Sequence, residues 1–151
     1  MNITTLFEGQ MKKNENVLID TNLNEYKLSA RKNLELHIKL SALADETKCY
    51  KYWKDSNNSL CKDTIFEKYL DCLSIILTMG IDRDYSDITM VTLKPNDYCL
   101  SDQFLNLYID LNDIIISNSK DHYLTLLEDF ISLGITLGYS ECKIKETFLT
   151  I

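Results

Sequence analysis

The sequence predicts an all-α fold: a helical bundle of about five to six helices forming a single domain over residues 1–151. Glycine occurs four times and proline once in 151 residues, too few turn formers for an all-β chain of this length. Apolar residues recur at spacings of three and four through several long stretches, the period of a buried helix face. The 45% hydrophobic share is enough for one sizeable core. No period of about 20 to 50 residues recurs, which argues against a solenoid.

Each element has its own signal. Ile3 to Val17 reads as a first helix, with Leu6, Gln10 and Lys13 along one face and Phe7, Met11 and Asn14 beside them. The second should start near Tyr26 and reach Lys51, since Leu36, Leu40 and Leu43 fall on one stripe. Asp55 to Ser59 is a polar cluster suited to a turn. Lys62 to Met79 then recovers helical periodicity through Ile65, Tyr69, Cys72, Leu73 and Ile76, with Gly80 as its stop. Asp82 to Tyr98 mixes β-branched and aromatic residues around Pro95 and reads as a loop. Leu100 to Ile115 is a further helix, and Asn118 and Ser119 break it. Lys120 to Leu137 follows, with Gly138 ending it, and Ser140 then offers an N-cap to a last helix through Ile144 and Phe148.

Charge and composition narrow the function. A formal net charge of −7 speaks against general nucleic-acid affinity, which needs a basic face. No apolar stretch approaches the ~20 residues of a membrane helix, and no leader pattern is present, so a cytoplasmic protein is expected. The five cysteines lack zinc-site or C-x-x-C spacing and read as reduced thiols. His37 and His122 stand beside no recognisable nucleophile. The nine tyrosines are spread over most elements and suit packing rather than a base-stacking platform. Gly134 and Gly138 are isolated, so there is no phosphate loop.

The most informative residues are ADETKCYKYW (Ala44 to Trp53), then EKYLD (Glu67 to Asp71) running on to ILTMG, and LGYSECKIKETFL (Leu137 to Leu149). Together they resemble the dimeric all-α dUTPases, relatives of the wider all-α nucleoside-triphosphate pyrophosphohydrolases. The resemblance covers almost the whole chain. It implies a homodimer, a deoxyuridine nucleotide as ligand, and dUTP diphosphatase as the family activity. The opening LFEGQ is similar to the family's first helix, which places Gln10 at the nucleoside pocket. Lys51 and Trp53 match its K-x-W, part of the phosphate and base pocket, and Glu46 matches a nearby acidic position. Other readings stand beside these: Trp53 as a core residue at a helix end, Lys51 as a complement to the helix dipole, and Glu46 as a surface acid.

The family holds Mg²⁺ with two carboxylate pairs, E-x-x-E on one helix and E-x-x-D on its neighbour. Residues three apart share a helix face, so each pair aims two hard oxygens at one ion that bridges substrate phosphates. Counted from the shared block, the first pair falls on Lys39 and Ala42 and the second on Lys68 and Asp71. Only Asp71 keeps a carboxylate. Glu67 is one residue out of register, a turn of about 100°. The family's closing K-N-x-x-N-x-x-R-Q tail also has no counterpart after Leu149, which adds to the expectation of lost catalysis.

One carboxylate beside two ammonium groups is a poor Mg²⁺ site, so no cofactor is expected. Lys39 and Lys68 then have two readings: they hold phosphate or partner carboxylates where the metal stood, or Lys68 simply pairs with Asp71 while Lys39 is solvated. The leading expectation is a non-catalytic protein that binds a nucleotide or a protein partner and regulates. The alternative is an active pyrophosphohydrolase holding Mg²⁺ through a rearranged Glu46, Glu67 and Asp71. A structural subunit dimerising with an active paralogue is a third.

Overall fold

The computed structural model describes residues 1–54, 59–94 and 96–151. The polar cluster expected to turn the chain at 55–58, and Pro95 in the expected loop, lie outside these residues. Six helices are present among the described residues: α1 (Thr4–Asn14), α2 (Glu25–Thr47), α3 (Lys62–Asp82), α4 (Leu100–Ile116), α5 (Lys120–Thr136) and α6 (Glu141–Thr150). The all-α expectation is met. Between α3 and α4 an isolated antiparallel bridge, Asn2 to Met90, ties the N-terminus to the loop. Ile3 N–H donates to the Thr89 carbonyl at 2.9 Å and Val91 N–H to that of Met1 at 3.0 Å.

Local chemistry explains most helix ends. Asn24, Ser119 and Ser140 accept from the backbone N–H of Lys27, His122 and Lys143, each satisfying an orphan donor of a first turn. At the end of α5, Gly138 has φ +96°. Its N–H bonds the Ile135 carbonyl while Tyr139 N–H reaches that of Gly134, the paired bonds of a Schellman motif.

Three boundaries differ from the sequence reading. Helix α1 stops at Asn14 rather than Val17. Helix α2 stops at Thr47 rather than near Lys51, because Lys48 takes the left-handed conformation with φ 55° and Thr47 Oγ1 donates back to the Ala44 carbonyl at 2.8 Å. Gly80 is not a stop: α3 runs through it to Asp82. Gly80 is buried, and a Cβ there would collide with the Tyr123 hydroxyl.

Helix α3 is the hub, packing on α1, α2 and α5, while α4 pairs with α5 and α6 covers α1. One core runs through these contacts, from Leu6 and Phe7 across Leu40, Leu43, Tyr69, Leu73 and Ile76 to Tyr123, Phe130 and Phe148. Burial of such side chains stabilises by about 1.5–3 kcal/mol each before chain entropy is counted. No helix among the described residues is long and apolar enough to cross a membrane.

Candidate functional site

Helices α2 and α3 run antiparallel. Lys32 of α2 pairs with Asp82 at the far end of α3, and Asp45 near the end of α2 feels the charge of Lys68 near the start of α3. This register brings Lys39 opposite Ser74 and Ile75, within a turn of Cys72. Burial pushes the Cys72 thiol up to about 12 and Asp71 acts in the same direction, while Lys39 and Lys68 pull it down. All three charged groups therefore lie near enough to act on one buried sulfur. Lys39, Asp71 and Glu67 are exposed, and Ala42, Glu46 and Lys68 are half-buried. Among the described residues no ion pair joins Lys68 to Asp71, so the reading in which these two satisfy each other is corrected. They stand a turn apart without meeting.

Beside them, Asp45 accepts from the Tyr50 hydroxyl at 2.7 Å and from Lys48 Nζ at 3.3 Å. These bonds, the tyrosine's first, hold its carboxyl below the usual carboxylate range. The segment after α2 is thus folded back at the Lys68 end. There Trp53 is 47% exposed, with Tyr52 edge-on at 5.0 Å and Lys51 Nζ 5.8 Å from its ring centroid. The core reading of Trp53 is corrected accordingly. Lys51 lies three residues beyond the C-cap of α2, Lys48.

Gln10 sits on α1, buried, and its amide is gripped at both ends. Nε2 donates to Asn14 Oδ1 at 2.8 Å, and Ser74 Oγ donates to Oε1 at 2.7 Å. Thr78 Oγ1 donates to the same Asn14 oxygen at 3.2 Å. At about 100° per residue, Asp71, Ser74 and Thr78 share one face of α3, so this network continues the Asp71 face by one to two turns. Asn14, Ser74, Thr78 and Asp45 were missed from sequence, although a hydroxyl every fourth residue on the Asp71 face was a usable signal.

Among the described residues no group of three or more His, Cys, Asp or Glu side chains gathers as a metal ion would require. Glu46, Glu67 and Asp71 do not converge. Elsewhere, on α4, Asp110 is buried with Oδ2 lacking any hydrogen-bond partner. Burial first, then the neighbouring Asp129 and Asp113 carboxylates, raises its pKa to about 8. Asn106 Nδ2 donates to Asp129 Oδ2 at 3.0 Å.

A family model described as dUTPase matches residues 2–150. The chain belongs to the dUTPase family. No curated protein and no solved structure matches it. For this dUTPase-family chain the helical architecture of the described residues agrees with the expected all-α form.

Proposed function

We propose that this dUTPase-family protein binds a nucleotide without hydrolysing it, with Lys39 and Lys68 in the role that Mg²⁺ plays in catalytic relatives. What supports the reading is that both lysines and Asp71 lie near enough to act electrostatically on the same Cys72 sulfur. A triphosphate brings charge that two ammonium groups neutralise directly, each close contact contributing on the order of 1 to 4 kcal/mol between bulk-water and surface dielectrics. Mg²⁺ does not fit this donor set: one carboxylate, two cations and the methyl group of Ala42 cannot replace the waters of an ion that wants octahedral oxygen. Without a metal-activated water the phosphates are held and not cut.

Gln10 supplies orientation. Its amide is fixed by Asn14 and Ser74, and a fixed amide suits the edge of a uracil base. Trp53 and Lys51 border the phosphate end. By family, a deoxyuridine nucleotide is the proposed ligand, and the role is regulatory. The test is pyrophosphate release from dUTP with excess Mg²⁺: none is expected, and steady turnover would overturn the reading.

We also propose a homodimer through the outer face of α2 and α4. Leu105, Ile109 and Ile116 are exposed and fall on one stripe of α4, and Leu34 and Ile38 are exposed on α2. The His37 and Tyr108 rings stack at 6.1 Å, and Ser41 meets the Tyr108 hydroxyl at 2.6 Å, so the two helices form a continuous face. Exposed apolar stripes of this kind mark association surfaces.

A further inference from the structure

The segment LELHIKLS of α2 (Leu34 to Ser41) recurs in α4 as LNLYIDLN (Leu105 to Asn112). Burial follows the same pattern: Leu36 and Leu40 are buried like Leu107 and Leu111, and Leu34 and Ile38 are exposed like Leu105 and Ile109. Helices α3 and α5 match as well. The Tyr69 hydroxyl donates to the Phe130 carbonyl of α5 and the Tyr123 hydroxyl to the Ile76 carbonyl of α3, with the rings of Tyr139 and Tyr85 centred 5.4 Å and 5.5 Å from them. An approximate internal two-fold therefore exchanges α2 with α4 and α3 with α5. His37 and Tyr108 are counterparts in that exchange, and they stack on each other at 6.1 Å. Counterparts touch only beside the axis, so the axis runs through this pair of rings.

The face around the stack is apolar. Leu34, Ile38, Leu105 and Ile109 are each 58–63% exposed, and neither they nor His37, Ser41, Tyr108 and Asn112 carry a carboxylate, ammonium or guanidinium group, the charge-depleted composition of an interface core. His37 and Tyr108 are half-buried, so part of each ring reaches the surface. A second copy docked by the same face brings its own stack against this one, and two imidazoles then share the centre of the interface. We propose that His37 is a pH-sensitive switch of the homodimer: the copies associate with both imidazoles neutral and separate when these are protonated. The switch rests on the dimer reading above. Histidine ordinarily changes charge between about pH 5 and 8. In the free chain a charged imidazole keeps its water and the Tyr108 ring face beside it, whereas in the dimer it loses the water and meets a like charge. No acid is placed to compensate. Among the described residues no ion pair involves His37. Glu35 and Lys39 lie about 200° around α2 from it, and Asp110 and Asp113 lie about 200° and 140° around α4 from Tyr108. Helix α3, packed behind α2, has no charged residue between Asp71 and Asp82. Tyr108 is the titratable group that faces the imidazole.

The test is a dilution series of the full chain, followed by light scattering at pH 7.5 and at pH 5.5 at constant ionic strength, with circular dichroism reporting the fold. The dimer dissociation constant is expected to rise on the order of tenfold or more at pH 5.5, since both imidazoles must shed a proton to associate. His37→Tyr gives α2 the residue that α4 already carries at the matching position, and His37→Gln keeps a polar side chain. Each should remain dimeric at pH 7.5 and lose the pH dependence, and the pair covers the failure of one to fold. A dimer of unchanged affinity at pH 5.5 would overturn the switch and leave the dimer standing. A pH dependence that survives in both variants would overturn the switch as well. A chain monomeric at pH 7.5 would overturn the dimer reading and the switch with it.

Discussion

Tyr69 on α3 lies against Gly134 on α5, where its hydroxyl donates to the Phe130 carbonyl at 3.2 Å and fills the space a Cβ would take. The relationship is reciprocal. Tyr123 on α5 lies against Gly80 on α3, its hydroxyl donating to the Ile76 carbonyl at 2.9 Å. In each helix the tyrosine and glycine are eleven residues apart, about three turns, so both fall on one face. Two antiparallel helices are thereby locked at close approach by a matched pair of contacts.

Replacing either glycine by alanine should therefore destabilise the fold, although alanine is the better helix former by about 1 kcal/mol. Overpacking at a buried tyrosine outweighs that, and a net loss of about 1 to 3 kcal/mol is expected for G80A and for G134A in denaturant unfolding. Adding Y69F to G134A should recover part of the loss by removing the clashing oxygen. A G134A variant as stable as the parent would show that the contact is not tight.

Asp110 sets a pH dependence. In the unfolded chain it ionises near the usual value of about 4, whereas in the folded chain burial and Asp129 keep it protonated up to about 8. Across that window the folded state holds the extra proton, so this group's contribution falls as pH rises. D110N should flatten the decline and stabilise the protein at pH 8 by about 1 to 3 kcal/mol, the scale of a relieved buried polar group. Thermal melts from pH 5 to pH 8 check it; a D110N profile parallel to the parent's would contradict it.

Restoring the family's acids should restore metal binding. The triple variant Lys39→Glu, Ala42→Glu and Lys68→Glu places four carboxylates with Asp71 on facing helices, the arrangement that hard divalent ions take. Calorimetry should detect Mg²⁺ binding to the variant and none to the parent. Equal Mg²⁺ binding by both would contradict the role given to the lysines.

The α2/α4 face predicts an oligomeric change. I109E places a charge in the middle of an apolar stripe, and light scattering should show the parent near twice the monomer mass and the variant at the monomer mass. A monomeric parent would remove the dimer from the account.

Signals carried by neighbouring residues were legible in the sequence. Ser140 and Gly138 announced their caps because capping is local. Gly80 misled because an isolated glycine near a helix end resembles a stop, and only Tyr123, on another helix, explains why it is buried. The recurrence of Y-L-x-x-L followed by glycine in α3 and α5 was the available clue. In the candidate site, the helices that carry Lys39, Lys68 and Asp71 were legible from apolar spacing. The Gln10 network was only half legible, since its grip by Ser74 depends on how α1 crosses α3. The end of α2 was not legible, because Lys48 adopts a left-handed conformation that nothing in its side chain favours.

Calorimetric titration with dUTP, first in excess Mg²⁺ and then in chelator, tests the central claim most directly. If lysine cations stand in for the metal, binding persists with closely similar affinity in both conditions. Binding that appears only with Mg²⁺, or no binding in either condition, would contradict the account.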